Sequence, residues 1–421
     1  MTGDNKLSET FDCAVVGGGP AGLMCALTAA GRGLKTALID KNNPSLPRKL
    51  LISGKGRCNV TNDCDDDFFF SHIISGERFL RSCYASFGPQ EIMSWFRERG
   101  IPLKTERGGR VFPVSDKAAD IAEALQKEAI DSGVKLVKGD VCGIICSDGK
   151  AAGVKLSDGG IIRSDAVVLA TGGLSYPRTG SDGSGYSIAK EAGHTVTELF
   201  GSLVPVECRD DCAAVQGLSL RNVSLRWPAE GKSRFKEQGE MLFTHFGISG
   251  PLVLTLSTVL RNADINGTQV SIDLKPALDS EVLDKRILRD FSTRMNKDIR
   301  NSLDELLPKS LIPVIIERSG IDPETKVNSV TAAQRRSLVS AIKDLRLTLT
   351  RLRPVSEAIV TAGGISLKEI NPKTMESKIL PGLYFAGEIM DLDGTTGGFN
   401  ITIALSTGYA AGRYVLSEGK K

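Results

Sequence analysis

The chain is predicted to adopt an α/β fold, and three observations lead to this prediction. Short apolar runs typical of buried parallel strands occur at 12–16, 35–40 and 165–170, and again near the C-terminus at 383–387. A helix-compatible stretch separates the first two runs, so that residues 12–40 form one βαβ unit. In the middle of the chain, the pattern of apolar, polar and charged residues changes twice, which indicates insertions into the α/β domain.

These changes of pattern define the predicted domains. Residues 196–278 show short alternating segments typical of strands, residues 279–342 are helical and strongly charged, and residues 343–354 alternate again. The predicted α/β domain therefore consists of 1–195 and 355–421. It is interrupted by a β-barrel-like insert, 196–278 and 343–354, and this insert is itself interrupted by a small helical subdomain, 279–342.

The composition excludes several classes of partner. Of the 421 residues, 41% are hydrophobic and 24% are charged, and the net charge of +3 is too small to favour nucleic acid or an acidic membrane. The polar segment 1–10 lacks a signal-peptide pattern, and no apolar run reaches the ~18 residues of a membrane span. We therefore expect a cytoplasmic protein that binds neither nucleic acid nor membrane.

Cysteine and histidine usage argues against disulfides and metal. The nine cysteines are odd in number and include no C-x-x-C pair, while His72, His194 and His245 are scattered along the chain. We expect free thiols, most of them small buried residues, and no metal site.

The turn after the first strand carries the clearest functional signal. Gly17-x-Gly19-x-x-Gly22 lies between a strand and a helix, which is the position of a dinucleotide-binding fingerprint in a Rossmann-type domain. Gly17 permits the tight turn, Gly19 lets backbone approach a pyrophosphate, and Gly22 lets the helix pack on the strand. The helix start at Pro20 and Ala21 offers N–H groups and a positive dipole to the phosphates.

Two acidic residues at strand ends identify the dinucleotide. Asp40, followed by Lys41, ends the second strand, where its carboxylate can accept from ribose hydroxyls. Gly387 and Glu388 repeat this arrangement after the last strand. A second acid suits the ribityl chain of a flavin, so the prediction is FAD.

The loop that opens the last helix is predicted to face the flavin ring. Its N–H groups and the positive end of the helix dipole would stabilise the anionic reduced ring. The residues assigned to this role are Gly398, Phe399, Asn400 and Ile401.

The segment 48–62 supplies a second group of candidate cofactor residues. Lys49 and Arg57 carry positive charge suited to a pyrophosphate, and Ser53 and Gly54 can bring backbone N–H groups close to it. Further candidates here are Asn59, which can bond to ring positions of the cofactor, and Cys58. For Cys58, a packed thiol is favoured over a redox relay because no partner cysteine lies at disulfide spacing.

Several long motifs resemble those of a known family. The strand with GGGPAG, the strand at 166–173 and the LYFAGE strand resemble two-dinucleotide-binding-domain flavoproteins. More narrowly, the chain resembles the family that includes bacterial aminoacetone oxidases and bile-acid dehydro-steroid reductases. This narrower resemblance rests on four segments, 48–62, 109–115, 241–251 and 393–401.

The resemblance implies FAD as cofactor and the interrupted three-domain layout. It also implies that Val141 offers its backbone to adenine and that Thr171 and Gly172 let the chain pass close to the cofactor. The sequence departs from the family at Lys55, where glycine is common, and at Asp40, where many relatives have Glu.

The predicted reaction is hydride transfer through the flavin N5 atom. We expect a reductase that acts on an activated C=C or C=O of a hydrophobic small molecule. Since the sequence has one strand–GxGxxG–helix unit, NAD(P)H would be a transient donor docking at the flavin face. The candidate catalytic residues are Tyr176, Arg178 and His245, the last as a general acid.

Two other functions stay open at this point. One is an amine oxidase that passes electrons to O₂. It differs from a reductase in how long the reduced flavin persists in the presence of O₂, and no sequence motif indicates this. The other is a flavin-dependent RNA-modifying protein, which would need a basic face. The helical insert contains basic residues between 285 and 300, but interspersed acids favour a solvated surface.

Overall fold

The computed structural model describes residues 9–42 and 47–417. The chain divides into two compact units. The first consists of Met1–Ser202 and Val355–Lys421, and the second of Leu203–Pro354.

The strands alternate with helices in the first part of the chain and cluster in the middle. In chain order they are β1 (Thr10–Val16), β2 (Thr36–Asp40), β3 (Thr61–Asn62), β4 (Ile73–Ser75), β5 (Leu103–Glu106), β6 (Arg110–Pro113), β7 (Lys135–Lys138), β8 (Val141–Ser147), β9 (Lys150–Leu156), β10 (Ile161–Leu169), β11 (Phe200–Ser202), β12 (Val206–Cys208), β13 (Ser219–Trp227), β14 (Phe235–Thr244), β15 (Gly247–Ser249), β16 (Gln269–Asp273), β17 (Leu345–Leu352), β18 (Val360–Ala362), β19 (Leu383–Phe385) and β20 (Asp393–Gly394).

The α-helices are distributed over both units. They are α1 (Pro20–Gly31), α2 (Arg48–Ile52), α3 (Asp66–Ser71), α4 (Glu77–Tyr84), α5 (Pro89–Glu98), α6 (Ala118–Asp131), α7 (Ser184–Glu191), α8 (Pro251–Leu260), α9 (Ser280–Ser292), α10 (Ile312–Ser319), α11 (Ala332–Lys343) and α12 (Phe399–Tyr414).

The central sheet of the first unit confirms the predicted Rossmann-type fold. Its strand order is β7-β2-β1-β10-β9-β8, and β19 pairs with β10. The pairs that join β7, β2, β1, β10 and β19 are all parallel, with Val15 opposite both Leu38 and Val168. The run predicted at 165–170 belongs to a longer strand, β10, which begins at Ile161.

Small residues let α1 and α12 pack closely. A Cβ atom on Gly408 would overlap the carbonyl oxygen of Ala21, and one on Gly412 would overlap that of Cys25. Glycine is therefore required at both positions, because interiors packed at crystal-like density leave no room for a methyl group. This contact joins the first helix of the chain to the last.

The first unit extends further than the predicted boundary at 195. The reason is that β11 pairs with β18, a strand of the C-terminal segment, with Gly201 opposite Thr361. Two smaller sheets complete this unit, β3-β6-β5 and β20-β4.

The second unit contains the predicted barrel, a closed sheet of order β12-β15-β14-β13-β16-β17. Residues of the barrel and of the charged helical segment belong to one hydrophobic cluster, for example Leu225, Ile272, Leu283 and Ile316. The predicted β insert and helical subdomain therefore share a single core. Helix α8 lies where alternating strands were expected, and that expectation was wrong for 251–260.

The α1–α12 contact gives a prediction about stability. Replacing Gly408 with Ala should lower the free energy of unfolding by about 1–3 kcal/mol, because the methyl group overpacks the helix contact. Gly31→Ala is the matched control, since a Cβ on Gly31 meets no atom within 4 Å. Thermal unfolding should show a lower Tm for Gly408→Ala alone, and equal Tm values would contradict the packing argument.

Candidate functional site

Glycine occupies the three positions of the fingerprint for different structural reasons. Gly17 has a φ of 107°, and a Cβ on Gly22 would overlap the carbonyl oxygen of Gly17. Gly19, in contrast, has an ordinary φ of −73°, and a Cβ there meets no protein atom within 4 Å. Protein packing thus explains Gly17 and Gly22 but not Gly19. The space beside Gly19, at the start of α1, suits a pyrophosphate that needs a close approach to backbone.

Asp40 is held in place by the turn that it faces. Its Oδ2 accepts from Gly18 N at 2.7 Å and its Oδ1 from Asn42 N at 2.6 Å. A carboxylate accepts more than two hydrogen bonds, so the predicted ribose contact stays compatible with this geometry. Lys41 instead donates to Asp182 at 2.6 Å. Burial acts to raise the pKa of Asp182, but hydrogen bonds from Lys41 and Ser184 outweigh it and lower the pKa to about 2.

Lys49 and Glu388, which were predicted as separate cofactor ligands, form an ion pair. Lys49 Nζ lies 2.6 Å from Glu388 Oε2 and donates to Ser175 Oγ, also at 2.6 Å. Ser175 Oγ in turn donates to Glu388 Oε1 at 2.9 Å, and Thr361 N donates to the same oxygen at 2.8 Å. Three segments that are distant from Glu388 in the sequence therefore meet at its carboxylate. Whether Glu388 also accepts from a ribityl hydroxyl stays a prediction.

Arg57 is also paired within the protein. Its guanidinium donates to Glu106 at 2.8 Å and to Asp116 at 3.2 Å, and it lies 4.0 Å from the centre of the Phe112 ring. These acids neutralise the charge that was assigned to a pyrophosphate, so that role stays a prediction.

The segment around Cys58 has an unusual backbone. Gly54, Lys55, Gly56 and Cys58 all have positive φ, at 56°, 60°, 82° and 57°. Lys55, the departure from the family's glycine, thus occupies a left-handed conformation that favours glycine. Cys58 is fully buried, and burial raises the pKa of its thiol to about 12. This agrees with a packed thiol.

Several buried polar atoms of the first unit have no partner among the residues that the structure describes. They are Asn59 Oδ1, Asn62 Oδ1, Thr171 Oγ1 and Tyr186 Oη, besides Arg99 Nε. Asn59 and Thr171 were predicted as cofactor residues, whereas Tyr186 was missed. Tyr186 is only 4% exposed, and burial is the main cause that raises the pKa of its hydroxyl, helped by the charges of Glu388 and Asp391. Unpaired buried polar atoms are costly, which is the pattern expected where a bound group supplies the partners.

The start of α12 is fixed by internal contacts. Gly398 has a φ of 102°, and a Cβ there would overlap the carbonyl group of Thr61. Phe399 stacks on His72 with ring centres 4.6 Å apart, and Asn400 Nδ2 donates to Gly394 O at 2.7 Å. The side chains of Phe399 and Asn400 therefore make contacts within the protein. The free N–H groups at the helix start are what this segment offers to a ligand.

The remaining predicted cofactor residues lie in or beside the central sheet. Gly387 has a φ of 77°, and a Cβ there would meet Ala21 Cβ at 2.7 Å, so the turn after β19 approaches the start of α1. Val141 is buried in β8, and Ile401 is half-buried in α12. Gly172 has a φ of 73° and follows β10.

The candidate catalytic residues are divided between the units. Tyr176 is half-buried in the first unit with a φ of 52°, and Arg178 is exposed nearby in the same turn. His245 is exposed in the second unit, between β14 and β15, with its ring centre 5.0 Å from that of Phe246. Within 9–42 and 47–417, no cluster of three or more His, Cys, Asp or Glu residues suits a metal ion.

The basic residues of the helical segment are largely paired with acids. Arg294 contacts Asp304 and Glu305, and Arg300 lies 3.5 Å from Asp298 and 3.6 Å from Glu324. No helix in the described part of the chain is long and apolar enough to cross a membrane.

Comparison with known proteins identifies the family. Residues 11–414 match the family described as the HI0933-like protein Rossmann domain. The chain is 32% identical over 409 residues to the 3-dehydro-bile acid delta(4,6)-reductase of Clostridium scindens, covering 95% of this chain and 97% of that protein. It is 30% identical over 415 residues to the ribosomal RNA dihydrouridine synthase of Escherichia coli, covering 97% and 99%.

A solved structure supports the same fold. The 3-ketosteroid-delta4-(5alpha)-dehydrogenase of Rhodococcus jostii aligns over 99% of both chains with a TM-score of 0.52 at 15% identity. The chain thus belongs to the HI0933-like family of FAD-binding, Rossmann-type oxidoreductases. The open space at Gly19 and the unpaired atoms of Asn59, Asn62 and Thr171 fit such a cofactor.

Gly19 provides a direct test of the FAD site. Gly19→Val should abolish flavin binding and preserve most of the fold, because the side chain enters the pyrophosphate space without meeting protein atoms. Gly22→Val, the comparison variant, should lower the Tm because its side chain overlaps Gly17. Flavin absorbance per protein after gel filtration and circular dichroism melting distinguish the two effects. A Gly19→Val variant with normal flavin content would mean that the fingerprint is only a turn.

The buried Cys58 gives a prediction about reactivity. With a pKa near 12, Cys58 should stay unlabelled by iodoacetamide at pH 8, since the thiolate is the reactive form. Cys142 and Cys146 are exposed and should be labelled. Mass mapping of alkylated peptides measures each site, and rapid labelling of Cys58 in the folded protein would revive the redox-relay interpretation.

Proposed function

We propose that this member of the HI0933-like family is an FAD-dependent reductase of a carbon–carbon double bond conjugated to a carbonyl group. The observation that carries the proposal is the chemistry shared by two full-length relatives. One is named as a delta(4,6)-reductase of a 3-dehydro-bile acid, and the other as a synthase of dihydrouridine. Both names describe two hydrogens added across a C=C that lies next to a carbonyl, as in an enone or a uracil ring.

The residues of the first unit support the binding of FAD in this role. The Gly17–Gly22 turn and the start of α1 would hold the pyrophosphate, Asp40 the ribose, and the start of α12 the flavin ring. When bound, FAD supplies a hydride at its N5 atom. NAD(P)H is the proposed donor that reduces it, docking transiently because the sequence has one dinucleotide fingerprint.

A hydrophobic small molecule is the preferred substrate. The net charge of the chain is +3, and Arg294 and Arg300 lie within reach of acids that offset their charge. An RNA enzyme needs unpaired basic residues for phosphate contacts, and affinity then falls steeply with salt.

A uridine in RNA is the second candidate substrate. This candidate is favoured by the names of two relatives. Besides the protein of Escherichia coli, the ribosomal RNA dihydrouridine synthase of Haemophilus influenzae is 32% identical to this chain over 409 residues. For the third alternative, an amine oxidase, no residue or relative described above gives specific support.

One anaerobic experiment separates these functions. The purified yellow protein, given NADH or NADPH, should convert a steroid-type enone into a product heavier by two hydrogens, measured by mass spectrometry. Ribosomal RNA transcripts and simple amines are the parallel substrates, and the heat-denatured protein is the control. Dihydrouridine in the RNA, without enone reduction, would select the second candidate. In a parallel aerobic assay, amine-dependent H₂O₂ formation by a protein that shows no C=C reduction would overturn the proposal.

Charge removal tests the choice of substrate independently. The double change Arg289→Gln and Arg300→Gln should leave enone turnover unchanged, because both side chains are exposed in the second unit. Arg294 is excluded because its side chain is largely buried between two acids. Salt-sensitive binding of ribosomal RNA that is lost in the double variant, measured by filter retention between 50 and 200 mM salt (roughly the range over which such binding collapses), would contradict the small-molecule preference.

A further inference from the structure

The turn that follows β10 is anchored by an unusual number of hydrogen bonds. Ser175, which is fully buried, receives a bond from Lys49 and donates to Glu388. The backbone N–H groups of Leu174 and Ser175 both donate to Thr361 Oγ1, at 2.7 and 3.2 Å. A Cβ on the preceding Gly173 would overlap Thr361 Oγ1, so no larger residue fits there. The turn is therefore locked to the C-terminal segment.

The anchored turn contains a residue with a strained backbone. Tyr176, directly after Ser175, has φ 52° and ψ 58°, a left-handed conformation that costs roughly 1–2 kcal/mol for a residue with a Cβ. Its carbonyl accepts from Thr179 N and from Thr179 Oγ1, both at 2.8 Å. Left-handed residues that are not glycine persist where the surroundings over-determine them, and they concentrate at functional sites.

The strained turn presents two polar groups without protein partners. Within the described residues, neither the hydroxyl of Tyr176 nor the guanidinium of Arg178 has a hydrogen bond or an ion pair. Arg57 in the same unit, in contrast, is paired with Glu106 and Asp116. A rigid turn thus offers one neutral and one charged donor, and it begins at Ser175, which is bonded to Glu388.

We infer that the turn 175–178 is the carbonyl-binding element of the active site, and that Lys49, Ser175 and Glu388 position it. Tyr176 and Arg178 would donate to the oxygen of the substrate carbonyl. This inference rests on the proposed reduction of a conjugated C=C, and it adds the group that stabilises the charge formed in that reaction.

The chemistry of a conjugated double bond requires such donors. When a hydride adds to the β-carbon, the π electrons of the C=C move toward the carbonyl, whose oxygen becomes an enolate oxygen with negative charge. A proton from water then adds to the α-carbon, and the carbonyl is restored. The hydride derives from the reduced nicotinamide, which is oxidised by two electrons. Preorganised donors aimed at this oxygen stabilise the transition state more than the ground state.

The ion pair of Lys49 and Glu388 suits a positioning role. Their side chains are 24% and 18% exposed, and each largely neutralises the charge of the other. Ser175 bonds to both, so the pair fixes the residue that precedes Tyr176. In this role the pair acts on the substrate through Tyr176, and its effect on catalysis should depend on the Tyr176 hydroxyl.

A double-mutant cycle tests this dependence. The variants are Tyr176→Phe, Ser175→Ala and the two combined, with Ser86→Ala as the control because the hydroxyl of the half-buried Ser86 bonds only locally, to the carbonyl of Ser82. Tyr176→Phe should lower kcat by about 100-fold or more, as expected for loss of a positioned donor. Ser175→Ala should lower kcat about tenfold in the wild-type background. In the Tyr176→Phe background it should have almost no further effect, while flavin content and the KM for the nicotinamide stay unchanged.

The outcomes separate this inference from the proposed function. Additive losses in the double variant, or loss of flavin in Ser175→Ala, would overturn the positioning role. If the wild type reduces no conjugated substrate, the proposed function fails, and ligand binding still tests the turn. A phenolate or enone ligand that perturbs the flavin spectrum should bind more weakly to Tyr176→Phe and to Arg178→Gln. Equal affinity in all variants would then overturn the inference by itself.

Discussion

The pairing of β19 with β10 is the contact on which the site depends. These strands are more than 200 residues apart in the sequence, yet Val168 lies opposite Tyr384 in a parallel register. Because the carboxyl ends of parallel strands share one edge of a sheet, this pairing brings the turns after β1, β10 and β19 together. The packing of α12 on α1 is a second contact between the two ends of the chain. Gly408 and Gly412 of α12 fit there against backbone carbonyls of α1. The two ends of the chain therefore build one nucleotide-binding domain.

The local features of this domain were predictable from sequence because they depend on near neighbours. The Gly17–Gly22 fingerprint, the apolar strands and Asp40 at a strand end all follow from spacing within a few tens of residues. The side-chain partners were not predictable in the same way. Lys49 and Glu388 were assigned separately to phosphate and ribityl groups, and they form an ion pair. Opposite charges at distant positions give no sequence signal without knowledge of the contact.

The errors in the fold prediction have similar physical causes. Helix α8, Pro251–Leu260, consists mostly of apolar residues, and such a helix lacks the polar face that marks helical periodicity. Strand β11 has three residues and is defined by its pairing with β18, so the boundary at 195 came too early. The charged segment 279–342 looked like a separate subdomain, but its apolar residues share one core with the barrel. Tyr186 gave no signal because burial in the folded chain is the main influence on its hydroxyl, and the charges of Glu388 and Asp391 that add to it lie far away in the sequence.

The polar network around Glu388 shows how strain and binding chemistry are connected. A half-buried carboxylate would be unfavourable without partners, and here Lys49, Ser175 and the Thr361 N–H supply them. Once satisfied, the carboxylate fixes Ser175, which directly precedes the left-handed Tyr176 in the chain. The hydrogen bonds of this network can therefore offset the free-energy cost of the strained conformation of Tyr176. The same network would serve the proposed carbonyl-binding turn, because donors that are held rigidly before the substrate binds lose less conformational freedom on binding.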